Sequence, residues 1–168
     1  MSQTVLARPG NEDVGEGITA IVIPADPQSP VRTELLPISP VDRLKELVGK
    51  DLVRAKVPPL KAVVHINRSG ADQRLLLNER ASVLVWAHQF PKPLILTVFG
   101  DMVLTGEVVD GLYTGVSDEL VGLLVLATKF GIQFVRAVQP GEWVSSSRVF
   151  DTWLDATRPR CVWHLELW

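Results

Sequence analysis

One cysteine and three histidines are the side chains best suited to nucleophilic or metal chemistry in this chain. Cys161 lies three residues before His164, and a nearby imidazole can help a thiol to ionise and attack an electrophile. The alternating segment that contains both is typical of a strand, on which residues three apart point to opposite faces. We therefore interpret Cys161 as a buried structural thiol. His65, His88 and His164 are far apart and no CxxC or HExxH motif occurs, so we expect no metal site.

Two carboxylates are the remaining candidates for acid–base or cation chemistry. Asp151 and Asp155 are spaced one turn apart on an expected helix, where they could share a proton or a cation. Such a pair is more often a solvated helix face, which is the interpretation we favour. The phosphate-binding patterns GxxxxGK[ST] and GxGxxG and the GxSxG nucleophile elbow are missing from the sequence. These absences favour a binding protein over an enzyme, and we expect no catalytic residue and no cofactor.

Three polar residues, Asn78, Glu79 and Arg80, separate two apolar runs in LLLNERASVLVWAHQF. Asn78 is a strong helix N-cap and Glu79 suits the positive end of a helix, which favours a short buried helix here. A strand fits the same letters, and periodicity alone does not decide between the two. Either way the polar residues mark a junction between elements. A second hypothesis brings Asn78, Arg80 and Asp101 together as polar groups of a ligand site in an apolar surround.

Tryptophan is concentrated at the C-terminal end of the chain. Trp143, Trp153, Trp163 and Trp168 all lie in the last 26 residues. Tryptophan is enriched where binding energy concentrates at interfaces, although core packing explains most of these residues equally well. Trp163 and Trp168, on the alternating segment CVWHLELW, are the candidates for contact with a partner.

Composition limits the fold and the class of partner. The chain has 168 residues, 46% hydrophobic and 21% charged, which suits one folded domain with a buried core. A net charge of −2 and a pI near 5.9 provide no positive field for phosphate backbones, so charge does not favour a nucleic-acid partner. Nucleic-acid binding is a third hypothesis, which would need the scattered Lys and Arg residues to gather on one face. A single cysteine excludes an internal disulfide and is typical of a reducing compartment. The N-terminus lacks a secretory pattern and the longest apolar block, 120–127, is too short for a bilayer span, so we expect a cytoplasmic protein without a membrane partner.

The helices that must position these side chains follow from capping residues and apolar periodicity. Residues 1–16 lack such periodicity, so we expect a flexible tail followed by a single globular domain over 17–168. The clearest helix is SPVDRLKELVG, with Ser39 as its cap and Gly49 as a left-handed stop. Further helices are expected over 117–131, capped by Ser117, and over 145–158.

The expected strands are short and separated by turn residues. We expect LILTVF and MVLTGEVV to pair as a hairpin across Gly100-Asp101. Strands and about three helices joined by short turns predict an α+β fold, with a mixed, mostly antiparallel sheet. The strand segments are ITAIVI, VRTELLPI, LVRAKV, KAVVHINR, LILTVF, MVLTGEVV, IQFVRAV and CVWHLELW.

A series of short motifs in this chain resembles an uncharacterised family, domain of unknown function 3846, over about residues 18–125. The motifs are ITAIVIPAD, VDRLKELVGKDL, the Asn-x-x-Ala of NERA, VFGDMVLTG and GVSDEL, in that order. The family is met in actinobacteria, their phages and other mobile elements, and the resemblance implies no activity, cofactor or catalytic residue. It implies a small phage or mobile-element accessory protein in a bacterial cytoplasm, with 132–168 as a Trp-rich C-terminal extension of this chain.

The leading functional hypothesis is therefore a non-enzymatic protein that acts by contact with a host or phage protein, with a second copy of the chain as another possible partner. Trp163 and Trp168 are its candidate contact residues. The alternative is a small-ligand-binding or enzymatic domain with its site near Asn78, Arg80 and Asp101.

Overall fold

The computed structural model describes residues 17–88, 97–135, 143–152 and 154–155. The expected tail, 1–16, lies outside these residues, as do Cys161, His164, Trp163 and Trp168 with the expected strand CVWHLELW. What the sequence predicts for these segments stays a prediction.

A five-stranded sheet in the order β2-β1-β5-β4-β3 forms the centre of the fold. Its pairings are all antiparallel, as are those of two further two-stranded sheets, so the α+β prediction with a mostly antiparallel sheet is confirmed. The strands are β1 (Gly17–Ile23), β2 (Arg32–Pro37), β3 (Leu52–Val57), β4 (Ala62–Asn67), β5 (Met102–Gly106), β6 (Val108–Val109), β7 (Leu112–Tyr113), β8 (Phe130–Val135) and β9 (Trp143–Phe150). The helices are α1 (Val41–Val48), α2 (Glu79–Ala87) and α3 (Asp118–Val121), which continues into a π-helical turn (Gly122–Leu126).

The central strands are apolar on both faces because each face of the sheet carries a core. Ile21 and Ile23 of β1 pack with α2 and α3, whereas Ala20 and Val22 pack with α1 on the other side. Successive residues of a strand alternate between faces, so a strand covered on both sides reads as a continuous apolar run. The prediction that ITAIVI is such a strand is confirmed.

Helix α1 begins later than its cap signal suggested. Pro40 occupies the N-cap position and no side chain caps the helix, so the prediction that Ser39 is the cap is wrong. A cap must directly precede the first helical residue to reach the N–H groups of the first turn, and Ser39 is one position too early. The expected stop is confirmed in part: Gly49 ends the helix with a positive φ of 119° and its N–H donates to Lys45 O at 2.9 Å.

The segment 117–131 is helical over a shorter range than predicted. Ser117 caps it as expected, with its Oγ accepting a hydrogen bond from Leu120 N at 3.3 Å. The helix ends at Leu126, where Ala127 N donates to Gly122 O across a wider, π-type turn. Gly131 is not its stop, because that residue already lies in β8.

Two further predictions are wrong because long-range pairing overrides local pattern. The residues expected to begin a helix over 145–158 form β9, which pairs with β8. Consecutive serines are unfavourable inside a helix, and pairing with β8 satisfies the hydrogen-bonding groups of the backbone in another way. The expected hairpin between LILTVF and MVLTGEVV does not form at β5, since β1 and β4 occupy both of its edges. Residues 89–96, which include the start of LILTVF, lie outside the described part of the chain.

Candidate functional site

Asn78 begins α2 and is completely engaged in hydrogen bonds. Its Oδ1 accepts from Ala81 N at 3.0 Å, so the predicted N-cap and the helical alternative for NERA are confirmed. Its Nδ2 donates to the carbonyl oxygens of Ile23 at 2.9 Å and Gly100 at 3.0 Å. The side chain is buried, so these bonds join the start of α2 to the ends of two segments that are distant in sequence.

Arg80 holds the loop that connects β1 to β2. Its Nη2 donates to Pro24 O at 2.6 Å and Asp26 O at 2.8 Å, and its Nη1 donates to Ser29 O at 3.0 Å. Partial burial lowers the pKa of the Arg80 guanidinium, and the carboxylates of Asp26 and Asp101 act in the opposite direction. Arg80 therefore fixes the backbone of three loop residues at once.

The same loop is fixed from two more directions. Asp101 Oδ1 accepts from Ala25 N at 2.9 Å. Within the loop, Asp26 accepts from Gln28 N and from Ser29 Oγ, each at 2.9 Å, and these hydrogen bonds lower the pKa of the Asp26 carboxyl. Asn78, Arg80 and Asp101 thus converge, as one hypothesis from the sequence required, but their described hydrogen bonds reach the backbone of 23–29, Gly100 O and Ala81 N.

Beside Arg80 lies a cleft with a volume of about 550 Å³. One wall is the fixed loop, another comes from α2 and the residue preceding its cap, and the third comes from the π-helical turn and the start of β8. Most of its lining is apolar, because ten of its fifteen residues are Ala, Pro, Val, Leu or Phe, and 47% of the Leu77 surface is exposed. The apolar lining residues are Ala25, Pro27, Pro30, Val31, Leu77, Leu124, Val125, Ala127, Phe130 and Leu154.

The polar rim of the cleft includes both carboxylates that the sequence analysis considered as a pair. Asp151 and Asp155 follow β9, so they do not share a continuous helix as expected. Asp151 pairs with Lys129, and Asp155 accepts a hydrogen bond from Thr152 Oγ1 at 2.7 Å. Both carboxylates are therefore engaged in contacts with neighbouring side chains of this chain.

The geometry of Arg80 determines which ligands the cleft can take. A guanidinium offers a carboxylate or phosphate two N–H groups from one edge, and both such edges include Nη2. Both hydrogens of Nη2 are already donated to loop carbonyl oxygens. Arg80 therefore has no bidentate edge left for an anion, and the cleft is suited to apolar groups.

His65 is the other unusual polar residue in the core. It lies on the α1 face of the sheet with no exposed surface, and its Nε2 is 3.0 Å from Thr105 Oγ1. Because Thr105 Oγ1 donates its own hydrogen to Gly106 O, Nε2 carries the imidazole proton and Nδ1 has no partner in the described structure. Burial, with a smaller contribution from the Arg54 charge, lowers the pKa of His65 to about 4.

The described residues contain no group of three or more His, Cys, Asp or Glu side chains that could hold a metal ion. His88 lies at the end of α2, with Nδ1 2.9 Å from Leu84 O, on the side of the sheet opposite His65. No helix in the described ranges has the length and apolar character needed to cross a bilayer.

No pattern in the sequence predicted the cleft. Its lining comes from several segments between Ala25 and Asp155, and although Arg80, Asp151 and Asp155 were singled out in the sequence, nothing there indicated that they lie around one cleft. π-Helical turns are frequent at functional sites, but the segment that contains this one, LVGLLVLA, has the apolar pattern of an ordinary helix. Comparison with family models, with curated proteins and with solved structures finds no match to this chain.

Proposed function

We propose that this chain is a non-enzymatic binding protein that acts by contact with another protein through the apolar cleft beside Arg80. The observation that carries the proposal is the combination of an open, apolar cleft with polar neighbours that are engaged in internal contacts. In the context that the family resemblance suggests, the protein is a phage or mobile-element accessory factor in a bacterial cytoplasm and its partner is a host or phage protein.

The apolar surface extends beyond the cleft, which favours a protein over a small molecule as the occupant. Leu77 lies in the lining with 47% of its surface exposed, and Leu123 and Leu126 of the π-helical turn are exposed to 45% and 69%. Exposed apolar area next to a concave apolar site is typical of a protein interaction surface. A small ligand would leave the surrounding leucines in water, whereas a protein would cover them.

Leu77→Asp tests this function, and Leu76→Asp is its matched control. The two leucines are adjacent and exposed, but Leu77 lines the cleft and Leu76 is not among its lining residues. The measurement is quantitative mass spectrometry of proteins that co-purify with the tagged full-length chain from the cells that encode it. We expect Leu77→Asp to deplete a specific partner by about tenfold or more, since a carboxylate in a desolvated apolar contact costs at least 1.4 kcal/mol.

The control variant should retain that partner, and both variants should unfold at the same urea concentration as the wild type. The proposal fails if Leu77→Asp, folded normally, co-purifies the same proteins in the same amounts. Tagged and untagged copies expressed together report on a second copy of the chain as partner. Deletion of 156–168 asks separately whether Trp163 and Trp168 contribute, and it leaves β9 and Leu154 in place.

A second candidate function is small-ligand binding or an enzymatic reaction in the same cleft. Its volume of about 550 Å³ favours this candidate, because it falls in the range of roughly 300 to 1,000 Å³ that is usual for small-molecule sites. Ala127→Trp would fill the cleft, since Ala127 lines it and is only partly buried. A metabolite that raises the melting temperature of the wild type but not of Ala127→Trp would support this candidate, and a panel of apolar metabolites without such a member would remove it.

A further inference from the structure

The hairpin of β6 and β7 has the construction of an exposed apolar finger, a name we use for residues 107–114. Asp110 and Gly111 form its turn with φ values of 50° and 81°, and two positive φ values with an Asp-Gly pair are typical of the type I′ turn. Val109 and Leu112 pair directly across the two strands, and 54% and 59% of their surfaces are exposed. Opposed residues share one face of a ribbon, so the finger presents an adjoining Val and Leu side chain to solvent.

The base of the finger is fixed to the body of the protein. Gly106 N donates to Thr114 O at 2.9 Å, and Thr114 Oγ1 donates to Glu107 O at 2.7 Å. The Tyr113 ring lies 5.7 Å from the buried His65 ring on the face opposite to the exposed pair. A Cβ on Gly106 would lie 2.1 Å from Gly115 O, so only glycine permits this close crossing. The exposed pair is therefore held in place before any partner arrives, which reduces the entropy cost of binding.

The finger is acidic as well as apolar. Glu107 and Asp110 are both exposed on it, and neither forms an ion pair within the described residues. The stretch 101–128 contains five Asp or Glu residues and no Lys or Arg. A nucleic acid or an anionic membrane surface would be repelled by these carboxylates, whereas a basic protein surface would be attracted.

We propose that the finger is a docking surface for a protein partner that has an apolar recess rimmed by Lys or Arg side chains. Val109 and Leu112 fill the recess, and Glu107 and Asp110 meet the basic rim. The carboxylates contribute to the rate of association and to the choice of partner, while the apolar pair provides the buried contact. This inference rests on the proposed function, in that the protein acts by protein contact, and it adds a second surface separate from the cleft.

The test is site-specific photocrosslinking of the full-length chain in the cells that encode it. Val109 is replaced by p-benzoylphenylalanine, which reports on the finger. The same replacement at Leu77 reports on the cleft, and at the exposed Leu35 on β2 it provides the background level. A charge-reversed form, Glu107→Lys with Asp110→Lys, is combined with the Val109 replacement.

We expect the Val109 position to crosslink one protein above the Leu35 background, through a peptide on a Lys- or Arg-rich surface of that protein. Charge reversal should reduce the yield about tenfold or more, which corresponds to 1.4 kcal/mol, with unchanged stability of the chain. The inference is overturned if the product does not exceed background, if charge reversal leaves it unchanged, or if the crosslink joins lipid or a second, equally acidic copy. A product at Leu77 without one at Val109 refutes the finger alone, and products at neither position refute the proposed function as well.

Discussion

Replacing Asn78 with alanine should lower the free energy of unfolding by about 3 to 5 kcal/mol. The lost N-cap bond to Ala81 N accounts for about 1 kcal/mol of this. The carbonyl oxygens of Ile23 and Gly100 each lose a buried donor, at about 1 to 2 kcal/mol apiece. A typical domain has only about 5 to 15 kcal/mol of stability, so the loss is large enough to measure easily by urea denaturation followed through tryptophan fluorescence.

Asn78→Asp separates the two halves of this side chain. The variant keeps the cap oxygen but replaces the donor Nδ2 with an acceptor that faces two carbonyl oxygens. At pH 7 we expect most of the alanine variant's loss, because the buried carboxylate is repelled and desolvated. These same effects raise the pKa of the new carboxyl in the folded state above its unfolded value. Its destabilisation should therefore diminish as the pH falls through the raised pKa, when a protonated carboxyl can donate one of the two bonds.

Asn78→Ser provides the matched control, since serine also caps helices but cannot reach with two donors. It should fall between the wild type and the alanine variant. The structural role assigned to Asn78 is refuted if the alanine variant is within about 0.5 kcal/mol of the wild type, the usual range for a surface position. Equal stability of Asn78→Asp and wild type at pH 7 would likewise show that the amide does not donate to these carbonyl groups.

Three further predictions concern other positions. The pKa of His65 is near 6.5 in the unfolded chain but about 4 in the folded chain, so the free energy of unfolding should fall by about 3 kcal/mol as the pH drops across this interval. The urea midpoint measured against pH should fall less in His65→Gln than in the wild type, and parallel curves for the two proteins would contradict the pKa assigned to His65. Gly106→Ala should cost about 1 to 3 kcal/mol because its Cβ meets the Gly115 carbonyl oxygen, while Gly122→Ala, whose Cβ meets nothing, should be neutral or stabilising in the same denaturation assay. Arg80→Lys should lower the free energy of unfolding by about 2 kcal/mol and speed amide hydrogen exchange in the β1–β2 loop, because an ammonium group cannot reproduce the three hydrogen bonds of the planar guanidinium. Unchanged exchange in the loop would show that Arg80 does not hold it.

The elements that the sequence predicted correctly are those with a local cause. β1 is apolar at successive positions because both of its faces are covered, and Asn78 and Ser117 precede their helices directly. Each of these signals is determined by neighbours within a few residues of the chain. The α+β class follows from them, because the strands and helices were mostly placed in the right order.

The failures have long-range causes. Nothing within 145–150 says that β8 offers those residues a hydrogen-bonding edge, so their partial helical periodicity was misleading. The sequence did not show which strands pair with MVLTG, because β5 inserts between β1 and β4, and both are distant from it in sequence. Strand order depends on which edges remain unpaired in the assembled sheet, and a single sequence does not record that.

The candidate site shows a different limit. The convergence of Asn78, Arg80 and Asp101 was one of the hypotheses from the sequence, and the structure brings the three together. Their role as ligand groups stays a prediction, whereas their described hydrogen bonds reach backbone atoms of 23–29 and 100 and the N–H of Ala81. Backbone carbonyl and N–H groups are the same at every residue, so no sequence pattern identifies them as partners.

These internal bonds have a consequence for binding at the cleft. The loop that forms one wall is fixed by Arg80, Asp101 and its own Asp26 turn, so that wall exists before a partner arrives. Another wall contains the π-helical turn, in which Leu124 is buried and lines the cleft while Leu123 and Leu126 are exposed. Ordering a loop and its side chains on binding costs free energy, and a wall that is already ordered avoids that cost. On the proposed function, Arg80 is a positioning residue for the apolar wall, and its loss should weaken partner contact through the loop that its hydrogen bonds hold.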